Sequence, residues 1–207
     1  MSTTADSERG PGRPREFDRE AVLNTVVDLF WTKGYEATTM ADIIGATGLS
    51  KSSLYGAFGS KHQLLDAALN RYLDGVFGQF LAAFADGDGG IADIHRFVDG
   101  YHAWLLNDAA GRGCLAINAA NELGYTDDAV SRYAATYREA FREALRGPLE
   151  RAGARGEIAP AMIDSAIEQL LGLSLAASVF SRSQSDPAEI ERLAEATHRL
   201  IDAWPQG

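Results

Sequence analysis

The 207-residue chain contains a single cysteine, Cys114. One thiol cannot form an intrachain disulfide, and it leaves too few thiolates for a cysteine-based zinc site. Scarce cysteine is typical of the reducing cytoplasm. The first ten residues also lack the apolar stretch of a secretory signal, so we expect a cytoplasmic protein. No cofactor is expected.

Long apolar runs are missing as well. The best candidate for a membrane span, residues 169–181, has only 13 residues without a charge, whereas a spanning helix needs about 20. Such a length is typical of a buried helix in a globular protein, so no membrane partner is expected. The chain is 46% apolar and 23% charged, which is sufficient for a sizeable core.

The alternating pattern of a half-buried strand is a third absence. Apolar residues instead recur at helical spacing along most of the chain, without an internal repeat. We therefore predict an all-α protein. Residues 1–16 are rich in Ser, Thr, Gly, Pro and Arg and are expected to form a flexible tail.

Two short helices are predicted to follow one another in the first third of the chain. Thr39 can cap residues 40–47, which Gly48 ends, and Ser50 can cap residues 51–58. Asp18 and Ser60 can cap the helices before and after this pair. Helices of two turns separated by a tight glycine-containing turn indicate a helix-turn-helix. In that motif the second helix enters the major groove of DNA with its N-terminal end.

Acidic residues are absent from residues 43–65, although the whole chain has 29 Asp or Glu, 19 Lys or Arg and a net charge of −10. Lys51 and Lys61 lie within this acid-free stretch, together with His62. A surface that faces phosphates would repel carboxylates, and the stretch therefore indicates an anionic partner at the helix-turn-helix.

The pattern predicts distinct roles for the polar side chains of this region. Lys51, Ser52 and Ser53, after the cap Ser50, lie in the first turn of the second helix and are predicted to face base edges. Thr39 and Lys61 lie at the starts of helices and are predicted to contact phosphates. The tail arginines Arg13 and Arg15 are predicted to contact the minor groove or the DNA backbone.

A larger set of residues shares one order and spacing with a known family: Leu29, Phe30, Gly34, Tyr35, Thr38, Thr39, Ile43, Gly48, Ser50, Lys51, Leu54, Tyr55, Phe58, Lys61, Leu64 and Leu65. Through them, residues 17–65 resemble the DNA-binding domain of the TetR family of bacterial transcriptional regulators. Residues 111–124 (GRGCLAINAANELG) look like the opening of an effector-domain helix in one branch of that family.

The resemblance implies a ligand-responsive regulator, a repressor, which binds near-palindromic double-stranded operator DNA as a homodimer. A small-molecule effector in the second domain would alter its affinity for DNA. Tyr55 is expected to reach a phosphate, as its family counterparts do. Ala57 replaces a His or Tyr that touches phosphate in many members, so one backbone contact is expected to be missing. His62 and Gln63 replace a more usual acidic residue, which predicts a more positive helix start.

Four segments are expected: a tail (1–16), a helix-turn-helix DNA-binding domain (17–65), a connecting helix (66–85) and a domain for effector binding and dimerisation (86–207). Helices of the last segment are predicted near 91–107, 113–123, 127–152, 160–183 and 187–204. Pro148 should kink or break its helix at Gly147.

Side chains of the connecting helix and of the second domain could line an apolar effector pocket: Phe80, Phe84, Tyr101, Trp104, Cys114, Asn118, Tyr137 and Phe180. The alternative for each aromatic residue is ordinary core packing. Cys114 opens a helix, whose dipole lowers a thiol pKa, and Arg112 is close in sequence. This leaves open a redox or electrophile sensor of the same fold, against a small buried side chain.

The last two helices carry apolar faces that could form a four-helix dimer interface, with Leu171, Leu175, Leu193, Leu200 and Trp204 as its candidates. The alternative is a monomer that buries these faces internally. Two other classes were considered: an enzyme using Cys114 with a histidine, and a helical adaptor without DNA binding. His95, Asp99 and His102 share a helix face, but a solvated polar face is expected there rather than a metal site.

Overall fold

A computed structural model describes residues 17–85, 87–107, 109, 111–183 and 186–207. Throughout these ranges the regular secondary structure is helical, and no strand occurs in them. The prediction of an all-α protein is confirmed. The tail arginines Arg13 and Arg15 lie outside the described residues.

Four helices form the N-terminal part, which we call the head: α1 (Arg19–Lys33), α2 (Met40–Thr47), α3 (Lys51–Phe58) and α4 (Lys61–Tyr72). A π-helical turn, Leu73–Phe77, joins α4 to α5 (Gly78–Ala85). The remaining helices, which we call the bundle, are α6 (Ile91–Leu106), α7 (Leu115–Leu123), α8 (Asp128–Ala154), α9 (Ile163–Arg182) and α10 (Pro187–Asp202). A 3-10 turn, Pro160–Met162, precedes α9.

Side-chain caps begin the helices of the head at the predicted residues: Asp18 for α1, Thr39 for α2, Ser50 for α3 and Ser60 for α4. Each side-chain oxygen accepts a hydrogen bond from a backbone N–H that has no partner within the helix. Gly48 ends α2 with φ of 66°, a left-handed conformation that costs glycine little. The tight turn between α2 and α3 is therefore encoded locally.

The connecting helix departs from the prediction of one regular helix over residues 66–85. The π-turn interrupts it, and the next residue, Gly78, makes this possible. A Cβ at Gly78 would lie 2.5 Å from the carbonyl oxygen of Leu73. Phe77, in the π-turn, is buried with its ring centroid 4.3 Å from that of Tyr137. The turn thus places an aromatic ring in the core that regular helical spacing would place elsewhere.

Helix α8 continues through Pro148, so the predicted break at Gly147 is wrong. A proline inside a helix removes a hydrogen bond and costs about 3 kcal/mol. Pro148 itself is buried, as are Leu145 and Leu149 on either side of it. Tertiary packing of this stretch against the core offsets the local cost, because most helix stability in proteins comes from such packing.

Buried apolar side chains form one contiguous cluster that extends from Val22 in the head to Trp204 near the C-terminus. Helix α1 packs on α4, α8 packs on α5, α7 and α9, and α10 packs on α6 and α9. Trp31, Tyr72 and Phe77 follow one another as packed rings, with centroids 5.3 and 6.2 Å apart. Head and bundle therefore share a core.

The segment Pro160–Arg182 has the length and apolar composition of a membrane-spanning helix, with a mean hydropathy of 1.3. In the structure it packs against α8 and α10. Its inward side chains Ile167, Leu170 and Ala177 are buried in the cluster. A core helix of a globular protein meets the same criteria of length and composition, so they are weak evidence for a membrane span.

The close contact at Gly78 predicts how adding one methyl group there changes the stability of the protein. Gly78→Ala should destabilise the protein by about 1–3 kcal/mol, because its Cβ would overlap the Leu73 carbonyl. Gly45→Ala is the matched control: Gly45 lies in α2 with nothing within 4 Å of an added Cβ, and alanine should stabilise it by up to about 1 kcal/mol. Urea unfolding measures both. Equal stabilities of the two variants would contradict this account of the π-turn.

Candidate functional site

The first turn of α3 presents short polar side chains to solvent. Lys51, Ser52 and Ser53 are exposed. The Ser50 hydroxyl accepts from the Ser53 N–H and lies 3.0 and 2.9 Å from the hydroxyls of Ser52 and Ser53. Tyr55 is 41% exposed on the same helix. The side chains at this end of α3 are short and polar enough for the helix backbone to approach a DNA groove.

The opposite side of α3 packs into the head. Leu54 is fully buried, so it belongs to the small core of the head. At the other end of α3, Arg19 from α1 donates to the carbonyl oxygen of Ala57 at 2.7 Å, and its guanidinium lies 4.2 Å from the ring centroid of Phe58. The buried Leu54 and these contacts of Arg19 hold α3 against the rest of the head and leave its first turn exposed.

Lys61 begins α4 with its Nζ 4.1 Å from the ring centroid of Tyr35. A cation–π contact of this kind restrains the ammonium group while leaving its charge available to an anion. Tyr35 was recognised in the sequence only as part of the family pattern. The structure shows what it contributes, which is a platform for the predicted phosphate contact of Lys61.

The hydroxyl of Thr39 is already engaged. It donates to Asp42 Oδ2 at 2.7 Å and accepts from the Asp42 N–H at 3.1 Å. Asp42 also receives Lys33 Nζ at 2.9 Å. The hydrogen bonds from Lys33 and then Thr39 hold the pKa of Asp42 far below its usual range. A phosphate at Thr39 would have to compete with a carboxylate that is ionised at any ordinary pH.

His62 links the start of α4 to the start of α8. Its Nε2 lies 2.5 Å from Asp127 Oδ2, and its Nδ1 lies 3.4 Å from Asp66 Oδ2. The hydrogen bond to Asp127 raises the pKa of His62, and the same bond lowers the pKa of Asp127. Two carboxylates thus approach the acid-free stretch from outside it. The raised pKa favours the protonated form of His62, in line with the expectation of a more positive helix start, and the two carboxylates partly offset that charge.

Glu122, on α7, holds the turn between α1 and α2. Its carboxylate accepts from the N–H of Tyr35 at 2.9 Å and from the N–H of Glu36 at 2.6 Å. Gly34 precedes this turn with φ of 88°, and a Cβ there would lie 3.1 Å from Glu122 Oε2. Sequence reasoning missed Glu122. Its only signal was its place in the segment 111–124, which looked like part of an effector domain.

A second set of contacts surrounds Trp31 at the end of α1. Its indole N–H donates to the carbonyl oxygen of Gly113 at 2.9 Å. The guanidinium of Arg112 lies 4.0 Å from the Trp31 ring centroid and pairs with Asp28 at 2.7 Å. Arg182, at the end of α9, donates to the Trp31 carbonyl oxygen at 3.1 Å. The head is therefore attached to α7 and α9 through α1.

Cys114 is fully buried at the start of α7. The Tyr72 hydroxyl donates to its Sγ at 3.3 Å, and its N–H donates to Ser178 Oγ at 2.8 Å. Burial raises the pKa of the thiol. The backbone N–H groups of Ile117 and Ala116 at the start of α7 lower the pKa, as expected, but burial outweighs them. Because the thiolate is the reactive form, the structure favours a small buried side chain over a sensor.

The other predicted pocket residues fall into three environments. Tyr101 and Tyr137 are buried, and burial raises the pKa of both phenols. Phe80, Phe84 and Trp104 are partly buried against them, while the Asn118 amide donates to the Arg112 carbonyl oxygen at 2.7 Å. Phe180 is 39% exposed. The contacts of these residues with an effector stay a prediction.

The predicted interface residues also divide. Leu171 and Trp204 are buried within the single chain, and the Trp204 indole donates to Gln169 Oε1 at 2.9 Å. Leu175, Leu193 and Leu200 are partly exposed. Beside them on α9, Val179 is 44% exposed. The partly exposed members are thus the ones left with apolar surface.

The histidines of α6 contact other parts of the bundle. His95 Nδ1 lies 2.6 Å from His198 Nδ1 on α10, and His198 Nε2 lies 2.8 Å from Asp99. His102 is buried and bonds the Val98 carbonyl oxygen. Over the described ranges, no three His, Cys, Asp or Glu side chains are arranged to hold a metal ion.

Two family models match the two parts of this architecture. The model of bacterial regulatory proteins, tetR family, matches residues 22–68, and the model of the tetracyclin repressor-like C-terminal domain matches residues 90–197. The chain belongs to the TetR family. The first match covers most of the head, including the helix-turn-helix, and the second covers most of the bundle.

Similar proteins span nearly the whole chain. The HTH-type transcriptional repressor ComR of Escherichia coli is 28% identical over 199 residues, 94% of this chain and 92% of ComR. The regulator YezE of Bacillus subtilis is 30% identical over 149 residues, 71% of this chain and 76% of YezE.

Solved TetR-family structures match equally well. A cysteine-substituted CifR, complexed with 26-base-pair operator DNA, is 27% identical with a TM-score of 0.80 over 93% of this chain and 100% of that one. A regulator from Chloroflexus aurantiacus is 26% identical with a TM-score of 0.81 over 91% and 96%.

The TetR-family chain is therefore a DNA-binding transcriptional regulator. Members of this family regulate transcription and are not enzymes, so the hypothesis of an enzyme using Cys114 is wrong. The hypothesis of an adaptor without DNA binding is likewise not supported. The resemblance identified from residues 17–65 is confirmed.

The His62–Asp127 pair predicts a pH-dependent stability. A raised His62 pKa means that its contribution is complete below about pH 6.5, the unfolded value, and is lost as pH rises through the folded pKa. Asp127, with a lowered pKa, contributes above about pH 4. His62→Gln should therefore cost more stability at pH 5.5 than at pH 8.5, by up to about 1 kcal/mol for this partly exposed pair. Thermal unfolding at both values measures the difference, and an equal cost would contradict it.

The Glu122 clamp predicts a local loosening of the head. Glu122→Ala removes both acceptors, so the amide protons of Tyr35 and Glu36 should exchange with solvent at least tenfold faster. Glu191→Ala on α10 is the control, because Glu191 is exposed. Hydrogen exchange followed by NMR measures both variants. Unchanged protection of these two amides would show that other contacts hold the turn.

Proposed function

We propose that this regulator binds a near-palindromic operator as a homodimer and represses transcription until a small-molecule effector lowers its affinity for DNA. The observation that carries the proposal is the exposed first turn of α3. There Lys51, Ser52 and Ser53 face solvent within the acid-free stretch of an otherwise acidic chain.

The roles proposed for individual residues follow from their positions. Lys51 and Ser52 read base edges, because a lysine can donate to guanine O6 or N7 and a short serine lets the helix approach. Lys61 and Tyr55 contact phosphates, and these contacts position the head without selecting a sequence. Thr39 is a weaker candidate than the sequence indicated, because its hydroxyl is bound to Asp42.

The proposed dimer uses α9 and α10. Leu175, Leu193 and Leu200 leave apolar surface on these helices, and Val179 and Phe180 add more on α9. A second copy would cover this surface by forming a four-helix interface. The two recognition helices would then lie one turn of DNA apart, about 34–36 Å.

Repression is proposed from the relatives. ComR and BdcR of Escherichia coli are named transcriptional repressors, and the 40% identity to BdcR over 70 residues is the highest among the matches described here. A more distant relative, FasR of Mycolicibacterium smegmatis, is named an activator and is 28% identical over 103 residues. The protein would act in the cytoplasm, where the chromosome is accessible.

The direct test is protection of DNA upstream of the protein's own gene. Footprinting with the purified full chain should reveal a protected, near-palindromic site. Affinity for that site should fall by about 10³-fold or more between 50 and 200 mM salt, as expected for several phosphate contacts. Absence of any salt-sensitive binding to this DNA would refute the proposal.

The division between base and phosphate contacts predicts different behaviour of two lysine variants. Lys61→Ala should weaken binding to operator and unrelated DNA alike and reduce the salt slope by about 1 per subunit. Lys51→Ala should instead weaken operator binding selectively, by about 1–3 kcal/mol. Arg192→Ala, an exposed charge on α10, is the control for net charge. Fluorescence anisotropy measures all three, and identical effects of both lysine variants would contradict this division.

A further inference from the structure

A groove of about 270 Å³ opens between α7, α8 and α9. We propose that it binds a small apolar molecule that carries a carboxylate, with Arg138 as the counter-ion. The proposal deepens the proposed function, on which it rests in taking this molecule to be the effector. Binding itself can be measured without DNA.

The wall of the groove is mainly apolar. Ala116, Ile117 and Ala120 contribute from α7, Tyr137 from α8, and Leu175 and Val179 from α9. Leu175 and Val179 also belong to the surface proposed for the dimer, so a second copy would lie beside the mouth of the groove. Small-molecule pockets usually measure about 300–1,000 Å³. At about 270 Å³ the groove lies just below that range, so it suits a small ligand, on the order of ten non-hydrogen atoms. The short side chains of Ala116 and Ala120 leave room beside Ile117 for the unbranched or flat apolar part of a ligand.

Arg138 is the one charged side chain among the described residues that line the groove. It is partly buried, and no carboxylate in the described part of the chain pairs with it. The next arginines along α8 differ: Arg142 pairs with Glu168 at 2.6 Å, and Arg146 pairs with Asp164 at 3.1 Å. Because the chain has a net charge of −10, with more carboxylates than basic side chains, an arginine without a carboxylate partner is unexpected.

A partly buried guanidinium gains most from a planar anion that accepts two parallel hydrogen bonds. A carboxylate has this geometry. Asn121, on α7, also lines the groove and carries amide N–H groups that can donate to the same anion. The apolar wall and the polar rim together specify an amphipathic carboxylate rather than a neutral hydrocarbon or a cation.

Helix α7 connects this groove to the DNA-binding head. Ala116, Ile117 and Ala120 line the groove, and Glu122, on the same helix, accepts from the N–H groups of Tyr35 and Glu36. A ligand that displaces α7 must therefore shift or break these hydrogen bonds. Lys61, which rests on the Tyr35 ring, would move with them.

The test uses octanoate as the probe and 1-octanol as its uncharged match, with the purified full chain in titration calorimetry. Octanoate should bind at least tenfold more tightly than octanol. Arg138→Gln should lower octanoate affinity at least tenfold and leave octanol binding unchanged. Arg138→Lys, which keeps the charge, should recover part of the loss.

Arg142→Gln is the matched control, because Arg142 lies one turn further along α8 and already has a carboxylate partner. It should bind octanoate like the wild type. Equal affinities for octanoate and octanol, no binding of octanoate at millimolar concentration, or unchanged binding by Arg138→Gln would each overturn the proposal. Loss of the dimer in Arg138→Gln, measured by light scattering, would also overturn it by making a carboxylate of the second copy the partner of Arg138.

A second measurement separates this proposal from the proposed function. Octanoate should weaken operator binding by the wild type about tenfold, while Glu122→Ala should still bind octanoate and show less than a twofold effect on DNA. If the wild type binds no DNA at all, the proposed function fails, whereas the calorimetric result for Arg138 stands. If octanoate binds through Arg138 without affecting DNA, the carboxylate site stands and its assignment as the effector site is overturned.

Discussion

The packing of Trp31 between the head and the bundle is the contact on which the rest of the structure depends. Its ring meets Tyr72 and Trp104, and its indole N–H is bonded to the backbone just before α7. Helix α1 thereby belongs to the small core of the head and to the large core of the bundle at once. Because protein interiors are close-packed, a displacement at either end of α1 must be accommodated at the other.

Electrostatics separates the two ends of the molecule. The head keeps its recognition surface free of acids over residues 43–65, while residues 76–207 carry −8 of the net charge of −10. The carboxylates that do reach the head act on specific groups: Glu122 on backbone N–H groups and Asp127 on His62. Their partners all lie outside α3, so these carboxylates attach the head without binding to its first turn.

Much of the fold was predictable because its signals are local. The caps Asp18, Thr39, Ser50 and Ser60 and the left-handed Gly48 mark helix ends through hydrogen bonds within a few residues. The π-turn and the unbroken helix at Pro148 were not predictable, because each has a local energetic cost that packing elsewhere offsets. For the π-turn this is the packing of Phe77 on Tyr137, and for Pro148 it is the burial of Leu145 and Leu149 in the core. The same holds for the candidate site. Lys51 and Lys61 could be named from spacing, but Tyr35 beneath Lys61 and the unpaired Arg138 could not.

By itself, the sequence determined the all-α class, the helix-turn-helix and the positive charge of the surface that α3 presents, since periodicity, capping and charge are properties of neighbouring residues. Only the tertiary structure decided that the Cys114 thiol is buried with a raised pKa, that His62 pairs with Asp127 at the start of α8, and that Glu122 holds the turn between α1 and α2. The physical reason is that burial and hydrogen bonding between residues 42, 65 or 86 positions apart depend on how helices pack, which no local pattern encodes.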